Sequence, residues 1–165
     1  MDVEVKILDQ RVISWGFPVY GSDWAAGLDL FACIEDEVCL EPQEPARLIP
    51  TGIAIHIGDP EWCGLVLPRS GLGHKTGLVL GNTVGLIDPD YIGPCLISAW
   101  NRNPNRAGQR QNASIKIRPG DRIAQLVLTR IVRPKYRIVN ELMSSERRGE
   151  GGFGSTGGAS AMQLD

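Results

Sequence analysis

A two-residue hydrophobic period recurs at widely separated places in this 165-residue chain. Val3, Val5 and Ile7 alternate with Glu4 and Lys6; Ile53, Ile55 and Ile57 alternate with Ala54 and His56; Ile115 and Ile117 alternate with Ser114, Lys116 and Arg118. Successive side chains of a strand point to opposite faces, so each pattern is that of a half-buried strand. No stretch of twelve residues carries a convincing helical stripe. Further strands are expected at 26–34, 62–68, 78–87, 95–101, 122–132 and 136–142. Turn clusters separate them, among them Glu41-Pro42, Gly58-Asp59-Pro60, Asn103-Pro104-Asn105 and Arg118-Pro119-Gly120-Asp121. The 20 glycines and 11 prolines are spread along the chain as punctuation. Many short strands with regular turns imply a sandwich, barrel or jelly roll.

The length favours one domain, large enough to fold without disulfides or structural zinc. The expected division is a β domain over 1–142 and a glycine-rich arm over 143–165. Six of the ten residues 149–158 are glycine, and such a segment cannot bury enough apolar surface to order itself. Composition alone reads it as a disordered end, although Phe153, Arg147 and Arg148 stand in it. Residues 102–112 are the most polar internal stretch and read as an exposed hairpin loop.

Net charge is −2 and the sequence pI is about 5.7, which leaves no broad basic field for a nucleic-acid backbone. No run of eighteen apolar residues suggests a membrane span, and Met1–Leu8 has no signal-peptide core. A cytoplasmic location is expected. Cys33, Cys39, Cys63 and Cys95 form no Cys-x-x-Cys pair, so they read as small apolar core residues in a reducing compartment.

Five segments carry the chemistry. In Pro68-Arg69-Ser70-Gly71-Leu72-Gly73 a cation, a hydroxyl and unhindered backbone amides follow an apolar strand, a combination suited to polyphosphate but equally found at an ordinary strand-end turn. In GNTVGLIDPDYIG at 81–93, Asn82 can donate and accept, Gly85 permits close approach, and Asp88 and Asp90 straddle Pro89 before Tyr91. Asp-Pro-Asp is also a common exposed turn. Asp29, in AGLDLFA at 26–32, read alone is a solvent-facing strand aspartate. Gln125, in RPGDRIAQL at 118–126, read alone is a polar residue on an exposed strand face. RGEGGFGSTG at 148–157 is the fifth segment.

In order and spacing these segments resemble the five motifs of the trimeric dUTPase family, from about Val5 to Gly157. The resemblance implies an all-β distorted jelly roll assembled as a homotrimer with a flexible C-terminal arm. It implies Mg²⁺-assisted hydrolysis of dUTP to dUMP and pyrophosphate, which supplies dUMP for thymidylate synthesis and limits uracil in DNA. By the same resemblance Arg69, Ser70, Gly71 and Gln125 bind phosphate, Gln125 across a subunit boundary. A hairpin with Asn82, Gly85, Leu86, Ile87 and Leu96 holds uracil through backbone groups, and Tyr91 lies beneath the deoxyribose. Asp88 activates the water, with Asp90 as its rival, and Asp29 acts on the metal through water. Phe153 stacks on the base, Arg148 meets the terminal phosphate, and Gly154 and Ser155 add contacts.

Some features depart from the common pattern: Pro89 between the aspartates, Pro94-Cys95 after the motif, a longer arginine-bearing 102–112 loop, and Trp24 close to the first motif. Two alternatives stay in view, a dCTP deaminase of the same fold superfamily and a non-catalytic trimeric binding protein. The complete PRSGLG, Asp88–Tyr91 and RGEGGFGS segments favour dUTPase. A zinc-type deaminase lacks its H-x-E and P-C-x-x-C here.

Overall fold

The computed structural model describes residues 1–104 and 114–141. Contacts divide the chain into Met1–Val132, which holds the fold, and Arg133–Asp165. The first unit is built from antiparallel strands with two short helices.

One sheet contains β1 (Glu4–Ile7), β4 (Arg47–His56), β8 (Pro94–Asn101) and β6 (Leu78–Leu80), in the order β1-β4-β8-β6. The other contains β2 (Leu28–Phe31), β10 (Arg122–Arg130), β5 (Trp62–Pro68) and β7 (Gly85–Ile87), in the order β2-β10-β5-β7. A two-stranded ribbon pairs β3 (Val38–Leu40) with β9 (Ile115–Ile117). The helices are α1 (Arg11–Ser14) and α2 (Ser70–Lys75). The architecture is the jelly-roll type that the family resemblance implies, one of the all-β forms open to the alternation.

The core draws on both sheets, with Leu30, Ile53, Ile97, Ile117 and Val12 among its most deeply buried side chains. Ile115 and Ile117 face this core while Lys116 faces outward, as the alternation requires. In β4 the alternation is submerged: Ala54 is buried along with Ile53 and Ile55, because β1 and β8 flank the strand and the core lies beneath it. The edge strand β1 leaves Val5 exposed.

Two expected strands are corrected. The segment 78–87 is not continuous; it is broken at 81–84, with β6 in one sheet and β7 in the other. Thr83 takes φ 62° and its amide donates to the Leu80 carbonyl at 3.1 Å, so the chain turns and crosses between sheets. Apolar periodicity cannot reveal that break, because both halves remain apolar. The segment 136–142 forms no strand over its described residues, 136–141. There Tyr136 and Ile138 are 90% and 99% exposed, since none of the described residues covers them. Conversely β3 lies outside the expected strands, and β4 begins earlier than the Ile53–Ile57 pattern.

Cys33, Cys63 and Cys95 are buried as expected, whereas Cys39 is exposed on the ribbon. No helix among the described residues is long and apolar enough to cross a membrane. Within the polar 102–112 stretch, Arg102 donates to the Gly73 carbonyl at 2.8 Å, tying its first residue to α2. Residues 105–112 of that stretch lie outside the described residues.

Candidate functional site

The sheet crossing creates the first of two clefts. The segment 81–93 is not a paired hairpin: β7 pairs with β5, while β8, which follows, pairs with β4 and β6. The chain therefore spans the two sheets, and a cleft of about 210 Å³ opens along it. Asn82, Gly85, Leu86, Ile87, Asp88, Tyr91 and Leu96 all line this cleft, together with Val66, Pro94 and Cys95.

Each wall has a local cause. Gly85 pairs with Val66 across the β5–β7 ladder, and a Cβ at Gly85 would stand 2.9 Å from the Val66 Cβ. Only glycine lets the backbone lie that close. On the opposite wall, the buried Thr51 hydroxyl donates to the Cys95 carbonyl at 2.8 Å and fixes the start of β8. Burial pushes the Cys95 thiol above its usual range, so it remains a neutral apolar wall and not a nucleophile.

The floor is set by the turn after β7. The Tyr91 amide donates to the Asp88 carbonyl at 3.1 Å. The Pro89 carbonyl accepts from the Gly58 amide at 2.9 Å, and Pro89 itself is buried. The proline thus ties the turn to the β4–β5 connection. The Tyr91 hydroxyl donates to the Pro94 carbonyl at 3.0 Å, and its ring covers Gly93, where a Cβ would collide with it. These contacts lock the ring at the cleft edge. Asp88 is exposed and lines the cleft; its carboxylate makes no hydrogen bond or ion pair with any described residue. Asp90 is exposed but does not line the cleft.

The second cleft, about 410 Å³, lies where β5 runs into α2. Its lining includes Asp29, Arg69, Ser70, Gly71 and Gln125. Arg69 holds the N-cap position in extended backbone, and the helix starts at Ser70. Amides in the first turn of a helix have no intrahelical acceptor, so these point outward as donors. A Cβ on Gly71 would meet nothing within 4 Å, so packing within the chain does not demand glycine there. Gln125 stands opposite Asp29 in the β2–β10 ladder, and its amide nitrogen donates to the Pro68 carbonyl at 3.1 Å. Its side chain fills the space over Gly27, which a Cβ would obstruct.

Asp29 differs from a solvent-facing strand residue. It is 4% exposed, and its two oxygens pair separately with Arg69 Nε at 2.9 Å and Arg122 Nη1 at 3.1 Å. A buried carboxylate survives only when paired and hydrogen-bonded. Arg69 also donates to the Arg122 carbonyl at 3.3 Å. Lys75 and Thr76 line the same cleft. Neither Lys75 nor Arg122 stood out in the sequence; Lys75, four residues after Gly71, is open to a helical-face argument, whereas Arg122 depends on strand register.

The two clefts share no lining residue. The structure therefore gathers the residues expected to hold the base into one group and those expected to bind phosphate into another. Arg148, Phe153, Gly154 and Ser155 lie outside the described residues.

The dUTPase family model matches residues 14–157. The deoxyuridine 5'-triphosphate nucleotidohydrolase of Tolumonas auensis is 52% identical over 156 residues, covering 94% of this chain and 97% of the relative. The enzyme of the same name from Methylibium petroleiphilum is 50% identical over 155 residues, covering 94% of this chain and 97% of the relative. Among solved structures, a dUTPase of Staphylococcus bacteriophage 80alpha with dUpNHpp superposes with a TM-score of 0.79 at 32% identity, covering 94% of this chain and 98% of its own. A mutant dUTPase from phage phi11 of S. aureus, described as coordinating a structural Mg(II) ion, gives a TM-score of 0.73 at 30% identity, covering 87% and 100%.

Proposed function

The chain belongs to the dUTPase family, and on that premise we propose that it hydrolyses dUTP to dUMP and pyrophosphate by attack of water on the α-phosphorus. The observation that carries the assignment of parts is the first cleft, where Asp88 and Tyr91 stand along the same wall as the Gly85–Ile87 backbone.

Uracil is read by the backbone of Gly85, Leu86 and Leu96 with the Asn82 amide. Backbone donors and acceptors are fixed, so cytosine, with a donor where uracil has an acceptor, leaves groups unpaired. Such a mismatch discriminates by roughly 10⁴-fold. The narrow cleft also excludes the thymine methyl. The locked Tyr91 ring lies beneath the sugar and clashes with a 2′-hydroxyl.

Asp88 accepts a proton from the attacking water and holds it in line with the α-phosphorus. A carboxylate is a weak base toward water, so most of its contribution is orientation. Its place in the cleft lining favours it over Asp90, which stands outside that lining.

The triphosphate lies along the second cleft, with Arg69, Ser70, the Gly71 amide and Gln125 as its donors. The two clefts are separate in one chain, which supports a homotrimer whose sites form between subunits, with the phosphate turn and the base cleft drawn from different copies. The arm over 143–165 completes the site. In it Phe153 stacks on uracil, Arg148 meets the terminal phosphate, and Gly154 and Ser155 contribute further contacts. Product dUMP supplies thymidylate synthesis, and removal of dUTP limits uracil in DNA. A soluble cytoplasmic enzyme fits that role.

Among the described residues no group of three or more His, Cys, Asp and Glu is arranged to hold a metal ion. Mg²⁺ retains several waters and binds chiefly through substrate phosphates, so it would need few ligands from the protein. Asp29 would act on it only through water, since both its oxygens already pair with arginines. Bound there, the ion would neutralise charge on the leaving pyrophosphate.

Hydrolysis in ¹⁸O-labelled water tests the reaction. Label is expected in the phosphate of dUMP; label in pyrophosphate would place the attack on the β-phosphorus and overturn the assignment of Asp88.

A further inference from the structure

The register of β10 contains an irregularity that alters which face its first residue presents. Gln125 pairs with Asp29 and Ala124 with Leu30, yet Arg122, not Ile123, pairs with Phe31. Residues directly opposite in an antiparallel ladder share a face. In an unbroken strand Ile123 would share the face of Gln125, and Arg122 would point away. The one-residue bulge sends Ile123 into the core, where it is 3% exposed, and turns Arg122 back to the Asp29 side. Bulges beside functional sites commonly re-aim a side chain in this way.

The charge count explains what this does. Asp29 and Arg69 alone form a neutral pair, and a neutral pair offers little field to an anion. Arg122, which lies outside the lining of the phosphate cleft, takes the second carboxylate oxygen and leaves the three side chains with a net charge of +1, while Asp29 and Arg69 stand in the cleft wall. The Asp29 carboxylate meanwhile fixes the Arg69 guanidinium from behind, through Nε, with Nη1 held by the Arg122 carbonyl. Nη2 of Arg69 has no acceptor among the described residues.

We propose that Asp29 and Arg122 are positioning residues for triphosphate binding: Asp29 aims Arg69, and Arg122, placed by the bulge, offsets the carboxylate so that Arg69 keeps its attraction for phosphate. This rests on the assignment of the second cleft to the triphosphate. It assigns to Asp29 a role that does not pass through the metal.

The test uses the full-length protein and the Arg122→Met, Arg122→Lys and Arg118→Met variants. Arg122 has a side chain 45% exposed, and its loss leaves Asp29 paired with Arg69, so folding is expected to persist and is checked by thermal unfolding. Arg118→Met removes a nearby arginine that pairs with Glu37 outside the cleft, and so controls for net charge. Arg122→Met is expected to raise KM for dUTP, and to weaken binding of the imido analogue dUpNHpp without added Mg²⁺, about tenfold, the scale of one charge-assisted contact. Binding of dUMP should change by less than about twofold, the scale of a screened surface charge. Arg122→Lys should recover most of the loss, and Arg118→Met should match the parent. Unchanged KM and analogue affinity in Arg122→Met would overturn the proposal. So would equal loss of dUMP and dUpNHpp affinity, which would make Arg122 a general support of the fold. Absence of dUTP turnover in the parent protein would instead overturn the proposed activity, and the analogue-binding arm would still decide the role of Arg122.

Discussion

The two clefts are built on opposite principles. The first cleft, proposed for the base, is shaped by backbone: Gly85 presses on Val66, the Thr51 hydroxyl holds the Cys95 carbonyl, and the Tyr91 hydroxyl holds the Pro94 carbonyl. The second cleft, proposed for the triphosphate, is shaped by charge: its Arg69 shares the buried Asp29 with Arg122. Their glycines show the same division. Gly85 is required by its own chain, because a Cβ there has no room. A Cβ on Gly71 would meet none of the described residues within 4 Å, so in the proposed function the demand for glycine there comes from what approaches the cleft. A neutral planar base needs fixed shape to be distinguished from near relatives, whereas a triphosphate needs charge held at the correct place.

The largest effect expected from this comparison is at the one carboxylate of the base cleft. Asp88→Asn should lower kcat at least ~10²-fold, the usual scale for a lost general base, while dUpNHpp still binds. Asp90→Asn should remain near the parent. Steady-state kinetics of the pair check this, and the reverse order would move the chemistry out of the cleft. Next, a chain ending at Glu146 should lose turnover severely. It lacks Phe153, and base–aromatic stacking is worth about 1–3 kcal/mol. It also lacks the Arg148 charge. Its thermal unfolding midpoint and its oligomeric state by light scattering should stay unchanged; full activity or dissociation would each contradict the role given to the arm.

A third prediction sets the two glycines against each other. Gly85→Ala should destabilise the fold by about 1–3 kcal/mol through overpacking on Val66. Gly71→Ala lies in a helix, where alanine is favoured by about 0.5–1 kcal/mol, so stability should hold or rise. Its affinity for dUpNHpp should nevertheless fall about tenfold as the methyl blocks a contact. Denaturant unfolding and analogue titration on both variants read the two signs. Loss of stability in Gly71→Ala would show that the chain itself requires that glycine. The smallest effect concerns the sugar. Tyr91→Ala should relax discrimination against UTP by about tenfold, one lost steric contact, with discrimination against dCTP nearly unchanged. Equal relaxation toward both would reduce Tyr91 to a prop for the turn.

Much of this was legible in the residue order because short-range rules govern it. The alternation at Ile115 and Ile117 reports burial directly, and the expected strand at 62–68 coincides with β5. Gly85 and Pro89 announce a special backbone. What the sequence hid depends on pairing between distant segments. The sheet crossing at Thr83 divides an apolar run that periodicity reads as one strand. Asp29 looks solvent-facing until β10 supplies its partners, and Arg122 reaches it only because the ladder slips by one residue. The apolar alternation at Tyr136 and Ile138 resembled a strand, yet a strand forms only when another edge accepts its hydrogen bonds. The roles of Arg148, Phe153, Gly154 and Ser155 rest on the sequence motif alone.

The central claim is that fixed backbone in the base cleft and the locked Tyr91 ring select deoxyuridine, while the charged cleft serves any triphosphate. Pyrophosphate release from dUTP, dCTP, dTTP and UTP, measured side by side with Mg²⁺ on the full-length protein, tests it directly. The account predicts rapid release from dUTP, with kcat/KM for each of the other three lower by at least ~10³-fold, within the range a mismatched polar site imposes. Cleavage of dCTP or UTP at a rate comparable to dUTP would contradict it.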